Sequence, residues 1–114
     1  MKVLLVDDNA QMRKMMREYL PLETDILECS DGDEAVIAYS QYHPDWVLMD
    51  LKMERMNGIT ATEEIHKIAP DAKVIIVTNY DDEQARHAAN RVGALIIPKH
   101  NLLGLRNIMH EQLS

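Results

Sequence analysis

Five short apolar runs punctuate the chain, each bounded by polar or turn-forming residues. They are "VLLV" at Val3 to Val6, "ILEC" at Ile26 to Cys29, "WVLM" at Trp46 to Met49, "VIIV" at Val74 to Val77 and "LII" at Leu95 to Ile97. Such runs read as strands. Between and after them, apolar positions recur near every 3.6 residues, as amphipathic helices require. Met12, Met15, Met16, Tyr19 and Leu20 form the first stripe, and Ala35, Val36, Tyr39 and Tyr42 the second. Ala61, Ile65 and Ile68 form the third, Ala85, Ala88, Ala89 and Val92 the fourth, and Leu102, Leu105, Met109 and Leu113 the fifth. Strict alternation of strand and helix with short loops predicts a parallel sheet covered by helices on both faces and joined by right-handed crossovers.

The continuity of each run orders the strands. A strand buried on both faces tolerates no polar interruption, whereas an edge strand does. Runs one, three and four are unbroken. Run two carries Glu28, and run five is ended by Pro98, whose missing N–H is tolerated mainly at an edge. The expected order is 2-1-3-4-5, a doubly wound α/β architecture of five strand–helix units. Ligands of such sheets bind in the crevice outside the carboxyl ends of the strands where the order reverses. Here those are the ends of "VLLV" and "WVLM". The alanine-lined fourth helix buries less area per turn than leucine or isoleucine would give it, and it is expected among the less firmly anchored elements.

Composition narrows the function classes. The 114 residues are 46% hydrophobic and 27% charged, and they read as one domain, residues 1–114, able to hold a core without disulfides. The single cysteine, Cys29, reads as a small strand side chain. No stretch approaches the roughly 18 apolar residues of a membrane span, and the opening run is too short for the core of a signal peptide. A cytoplasmic location and no membrane partner are therefore expected. The formal net charge of −7 argues against direct nucleic-acid binding by this chain, which needs clustered Lys and Arg. It favours a cation or a protein as partner. The eight methionines fall mostly at helical core spacing and read as gap fillers. His43, His66, His87, His100 and His110 show no ligand spacing and are expected at the surface.

The strand ends carry the candidate chemistry. "VLLV" runs into Asp7 and Asp8, and "WVLM" into Asp50. Singly, Asp8 or Asn9 can cap the next helix and Asp50 can close a turn. Together, three carboxylates repel, and they are tolerated mainly when a divalent cation neutralises them. Hard oxygen ligands at a partly solvated loop suit Mg2+. The fourth run ends in Thr78 and the fifth is followed by Lys99 on the same rim. Alone, Thr78 can simply finish a strand and Lys99 can guard an edge against aggregation. An acid cluster, a hydroxyl and an amine on one rim make a site for a phosphoryl group.

The segments "KVLLVDDNAQMRKMMREYL", "PDWVLMDLKMERMNGITATEEI", "VIIVTNYDDEQ" and "GALIIPK" resemble the receiver domain of two-component response regulators, the CheY-like superfamily, over essentially the whole chain. The resemblance implies a flavodoxin-like (βα)5 fold. It implies a signalling switch that promotes only its own phosphorylation and dephosphorylation and is not a metabolic enzyme. In that family pattern Asp50 is the phosphoacceptor, modified by a sensor histidine kinase, a phosphotransfer protein or a small phosphodonor. Asp8 and Asp50 ligate Mg2+ directly, Asp7 mostly through water, and Lys52 through its backbone carbonyl. Lys99 pairs with a phosphoryl oxygen, and Thr78 moves to bond another once Asp50 is modified. The face of the fourth helix, fifth strand and fifth helix then binds a downstream effector protein or domain, or a second copy in a phosphorylation-dependent homodimer. Arg86, Arg91 and Arg106 with Asp81, Asp82 and Glu83 could supply that dimer's charge pairs, and solvated surface charges explain them equally well.

Several positions depart from the family pattern. Ile96 stands where an aromatic switch residue is usual, the segment from Gly93 to Lys99 is one residue short, and Pro98 precedes the lysine instead of following it. Tyr80 is the candidate substitute ring, and its simpler reading is a partly exposed loop aromatic. Lys52 and Tyr80 occupy positions that resemble those tuning hydrolysis of the acyl phosphate. Glu54 replaces a proline, so a looser loop is expected after Asp50. Other readings stay open. One is a pseudo-receiver that is never phosphorylated, and another is a small Mg2+-dependent phosphohydrolase, against which "VDDN" lacks the usual spacing of two acids. The chain ends soon after the fifth helix, which leaves both a stand-alone regulator and the receiver part of a transcription factor or hybrid kinase.

Overall fold

In the computed structural model, residues 1–79 and 82–113 are described, and they form five strand–helix units. These are β1 (Lys2–Val6), α1 (Ala10–Arg17), β2 (Asp25–Cys29), α2 (Gly32–Tyr42) and β3 (Trp46–Met49). There follow α3 (Gly58–Ile68), β4 (Val74–Thr78), α4 (Glu83–Arg91), β5 (Leu95–Pro98) and α5 (Leu102–Leu113). The strands make one parallel sheet in the order β2-β1-β3-β4-β5, as the interruptions of runs two and five imply. Pro98 sits inside β5 opposite Thr78, on the edge strand, where no outer neighbour needs its missing donor.

Alternation along the strands builds two cores. Val3, Leu5, Trp46, Leu48, Ile75, Val77 and Ile97 face α1 and α5, meeting Met12, Met16, Leu20, Leu102, Leu105 and Met109. Leu4, Val6, Val47, Met49, Val74 and Ile76 face α2, α3 and α4, meeting Ala35, Ala38, Tyr39, Ile59, Ala61, Ile65 and Ala89. The buried stripe of α1 runs through Met12 and Met16 and is continued by Leu20 just past the helix, which turns Met15 out to 48% exposure. Ile68, in the last turn of α3, is likewise exposed, while Thr62 takes a buried place by donating its hydroxyl to the Gly58 carbonyl at 2.7 Å. In α4 only Ala85 and Ala89 are buried, so the helix is held by small side chains. His43, His87, His100 and His110 are exposed, but His66 is half-buried, with Nε2 3.0 Å from the Ala72 carbonyl oxygen.

Each helix following the rim begins on a side-chain cap. Asn9, Asp31, Asn57 and Asp82 accept backbone N–H groups at the starts of α1, α2, α3 and α4. The register aligns Val6 with Met49 and with Cys29, so the residues that follow β1 and β3 emerge side by side. No helix among the described residues is long and apolar enough to cross a membrane.

Candidate functional site

The rim where β1 and β3 end gathers the acids. Asp7 follows Val6 and is fully buried, Asp50 follows Met49 and is 5% exposed, and Asp8 faces solvent. The Asp50 amide donates to the Val6 carbonyl at 2.9 Å, extending the sheet ladder one residue past β3. One carboxylate oxygen from each of Asp7, Asp8 and Asp50 lies within 4.8 Å of the other two. Two carboxylate oxygens are committed to the main chain: Asp7 Oδ1 accepts from Asn9 N and Asp50 Oδ1 from Leu51 N, both at 2.8 Å.

Lys99 reaches this cluster from the end of β5. Its Nζ stands 3.1 Å from Asp7 Oδ2 and 3.2 Å from Asp50 Oδ2. The bond to Asp50 is aligned, whereas Asp7 Oδ2 is buried without an aligned hydrogen bond. Burial, and after it the charge of Asp7, push the Asp50 carboxyl above its ordinary range, against the opposing pull of Lys99. Burial disfavours the Lys99 ammonium, but the hydrogen bonds and charges of Asp7 and Asp50 together outweigh it and raise its pKa. Three carboxylates against one ammonium leave two negative charges in one place. Hard oxygen donors, an underbonded buried oxygen and that residual charge fit a divalent cation such as Mg2+.

The loop between Asp50 and α3 is tied down at several points. Gly58 N donates to the Leu51 carbonyl at 2.7 Å, and a Cβ at Gly58 would overlap the Asp50 carbonyl oxygen. Arg55 donates through Nε and Nη2 to Asp31 Oδ2, and this bond, with the cap at Glu34 N, holds the Asp31 carboxyl below its ordinary pKa. Met56 lies so close to α2 that a Cβ at Gly32 would come within 2.6 Å of its carbonyl oxygen. Arg55, next to Glu54, thus ties this segment to the α2 cap.

The remaining candidates divide. Thr78 ends β4 on the rim, fully buried, and its carbonyl accepts from Lys99 N at 3.0 Å, so the shortened β5 segment still delivers Lys99. Lys52 is exposed beside a cavity of about 310 Å³ shared with Leu51, Asn57, Ile59 and Asp82. Ile96 lies opposite Ile76, half-buried against the same core that Ala88 of α4 and Val92, its C-cap, pack on. Tyr80 and Asp81 lie outside the described residues. Sequence reading missed Arg13, which donates to the Asp7 carbonyl, and the Arg55–Asp31 pair. The one available signal was that Arg13 falls on the first turns of α1, within reach of the acids six residues back.

The response regulator receiver domain model matches residues 3–101. The chain belongs to this family. Among curated relatives, the receiver domain is 42% identical over 94 residues to the chemotaxis protein CheY of Halobacterium salinarum, covering 82% of this chain and 78% of that one. It spans only 46% and 36% of the length of two transcriptional regulatory proteins that it also matches. Among solved structures, the response regulator domain of Thermotoga maritima CheB superposes with a TM-score of 0.83 at 30% identity, covering 98% of this chain and 92% of that one. The CheX-CheY-BeF3-Mg+2 complex of Borrelia burgdorferi gives 0.77 at 27% identity, covering 90% and 84%. Receiver domains are signalling switches of two-component systems that generally bind Mg2+ and interact with histidine kinases and effectors, and this chain has the acid cluster Asp7, Asp8 and Asp50.

Proposed function

We propose that this receiver domain is switched by phosphorylation of Asp50, with a sensor histidine kinase, a phosphotransfer protein or a small phosphodonor as the source. The observation that carries the reading is the placement of Asp50 Oδ2. It is presented at the rim, beside Asp7 and Asp8, with Lys99 Nζ 3.2 Å away. In the transfer, a carboxylate oxygen of Asp50 bonds to phosphorus as the bond to the donor's nitrogen or oxygen breaks, and the donor leaves with that electron pair. Asp7, Asp8, Asp50 and the Lys52 carbonyl would hold Mg2+, which supplies neutralisation of the phosphoryl oxygens. Lys99 exchanges its carboxylate partner for a phosphoryl oxygen, and Thr78 offers a hydroxyl to another.

The output is a change in the face made by α4, β5 and α5, which binds an effector or a second copy of the chain. At Ile96 a half-buried aliphatic side chain takes the place of an aromatic that could swing. Displacement of α4, anchored by Ala85 and Ala89, is therefore the readout this chain offers. A reaction with acetyl phosphate and Mg2+, followed by mass spectrometry, tests the reading. One added phosphoryl group that is absent in Asp50→Asn is expected. No adduct, together with no response to beryllofluoride, would identify a constitutive interaction module instead.

A further inference from the structure

Glu28 breaks the apolar run of β2, and Arg13 and Arg17 stand one turn apart on α1. The fold joins all three. Glu28 Oε1 accepts from Arg13 Nε and Oε2 from Arg17 Nη1, each at 2.8 Å. The same Arg13 side chain, only 18% exposed, donates through Nη1 to the main-chain carbonyl of Asp7. That carbonyl belongs to the peptide linking Asp7 to Asp8. The Asp7 amide is bonded to the Cys29 carbonyl at 3.2 Å, and Asp7 Oδ1 holds Asn9 N. Arg13 thus holds the oxygen of the peptide between the two acids, while the peptides on either side of it are held through Asp7 N and Asn9 N.

We propose that Arg13 and Glu28 are positioning residues of the acid cluster. Glu28, steadied by Arg17, orients the Arg13 fork, and Arg13 locks the Asp7–Asp8 peptide so that both carboxylates face the cation site together with Asp50. This rests on the reading of the cluster as a Mg2+ site. A planar guanidinium supplies one N–H to a carboxylate and another to a carbonyl at fixed geometry, which an ammonium cannot do. Groups that orient metal ligands from outside the coordination sphere are commonly worth as much as a weaker ligand.

Charge alone gives a different pattern from positioning. Arg13→Ala removes a positive charge near the acids and would tighten cation binding through space, whereas Glu28→Ala removes a negative one and would weaken it. Loss of positioning weakens binding in both. The experiment measures the Mg2+ dissociation constant by calorimetry for the wild type, Arg13→Ala, Glu28→Ala, the double variant and Arg13→Lys. Beside it, the exchange rate of the Asn9 amide is followed by NMR without metal, and circular dichroism checks each fold. Both single variants are expected to bind on the order of tenfold more weakly, with the double variant no weaker than the worse single. Asn9 should exchange faster in each, and Arg13→Lys should not rescue. Opposite shifts in the two single variants, or unchanged affinity with unchanged Asn9 exchange, overturn the proposal. A wild type that binds no Mg2+ overturns the metal reading along with it, whereas normal wild-type binding with unmoved variants overturns the positioning role alone.

Discussion

Lys99 Nζ lies 3.2 Å from Asp50 Oδ2, so without metal the oxygen proposed to attack phosphorus is already held by an ammonium. The same ammonium is the near neighbour of buried Asp7 Oδ2. Removing it leaves two buried carboxylates facing each other, and breaking such an arrangement is destabilising. Lys99→Met is expected to lower the stability of the metal-free protein by about 2 kcal/mol, below the range for fully buried pairs because Lys99 retains some solvent contact. Mg2+ should restore more stability to this variant than it adds to the wild type, because the cation then has no competitor at Asp7 and Asp50. Urea unfolding with and without Mg2+ measures both effects, and an equal gain in the two proteins would contradict the competition.

Asp50 tests the electrostatics from the other side. Its folded carboxyl is raised above the unfolded value, first by burial and then by Asp7. A raised carboxyl stabilises the fold most when protonated, at pH below about 4, and that stability is lost as pH rises through the folded value. Near neutrality the charged Asp50 therefore works against folding. In chelator, Asp50→Asn is expected to melt at a higher temperature than the wild type at pH 7, with the gap closing towards pH 4. Melting curves across that range decide it.

The sheet order and the acid rim were legible because each depends on strand ends. Glu28 and Pro98 marked the two edge strands, and Asp7, Asp8, Asp50, Thr78 and Lys99 each finish or follow a strand. The helix faces were read less sharply. A 3.6-residue period leaves neighbours such as Met15 and Met16 equally placed until packing selects one of them. The arginine contacts were not legible, because Arg13 to the Asp7 carbonyl and Arg55 to Asp31 depend on how closely separate loops approach. No local propensity encodes that distance.

Asp31 carries the opposite linkage. Its carboxyl is depressed, chiefly by the hydrogen bond from Arg55 and then by the backbone of Glu34. Depression means stability that is present above the unfolded value, about 3.9 for a free aspartate, and lost as pH falls through the folded one. Arg55→Ala should therefore be less stable than the wild type at pH 6 to 7 and converge with it as pH drops below about 4. Urea midpoints for the two proteins across this range check the convergence. A gap that does not narrow at all as pH falls would assign Arg55 to packing instead.

Cys29 sits at the end of β2, and burial, followed by the charges of Glu34 and Asp31, pushes its thiol up to about 11. A protonated, buried thiol is a poor nucleophile. In the folded protein it is expected to resist a disulfide reagent at pH 8, reacting at a rate that rises in step with urea as the chain opens. Rapid labelling of the native state would show that β2 detaches from the sheet edge on its own.

Gly58 joins the loop to the site. Its amide bonds the Leu51 carbonyl, and the space a Cβ would need is filled by the Asp50 carbonyl oxygen. Gly58→Ala must push the backbone that carries Asp50 out of register with Val6, because overpacked interiors relax by moving neighbours. Such strain typically costs about 2 kcal/mol. The larger effect is expected on chemistry, since a displacement of Asp50 spoils its alignment with Asp7, Asp8 and Lys99 together. Phosphoryl uptake from acetyl phosphate should fall by on the order of a hundredfold, while Asn57→Ala, which removes only the α3 cap, should cost about 1 kcal/mol of stability and leave the uptake rate close to wild type. Measuring rate and urea stability for both variants separates the two effects. Equal losses of rate in the two would mean that the loop as a whole, and not the close approach at Gly58, sets the position of Asp50.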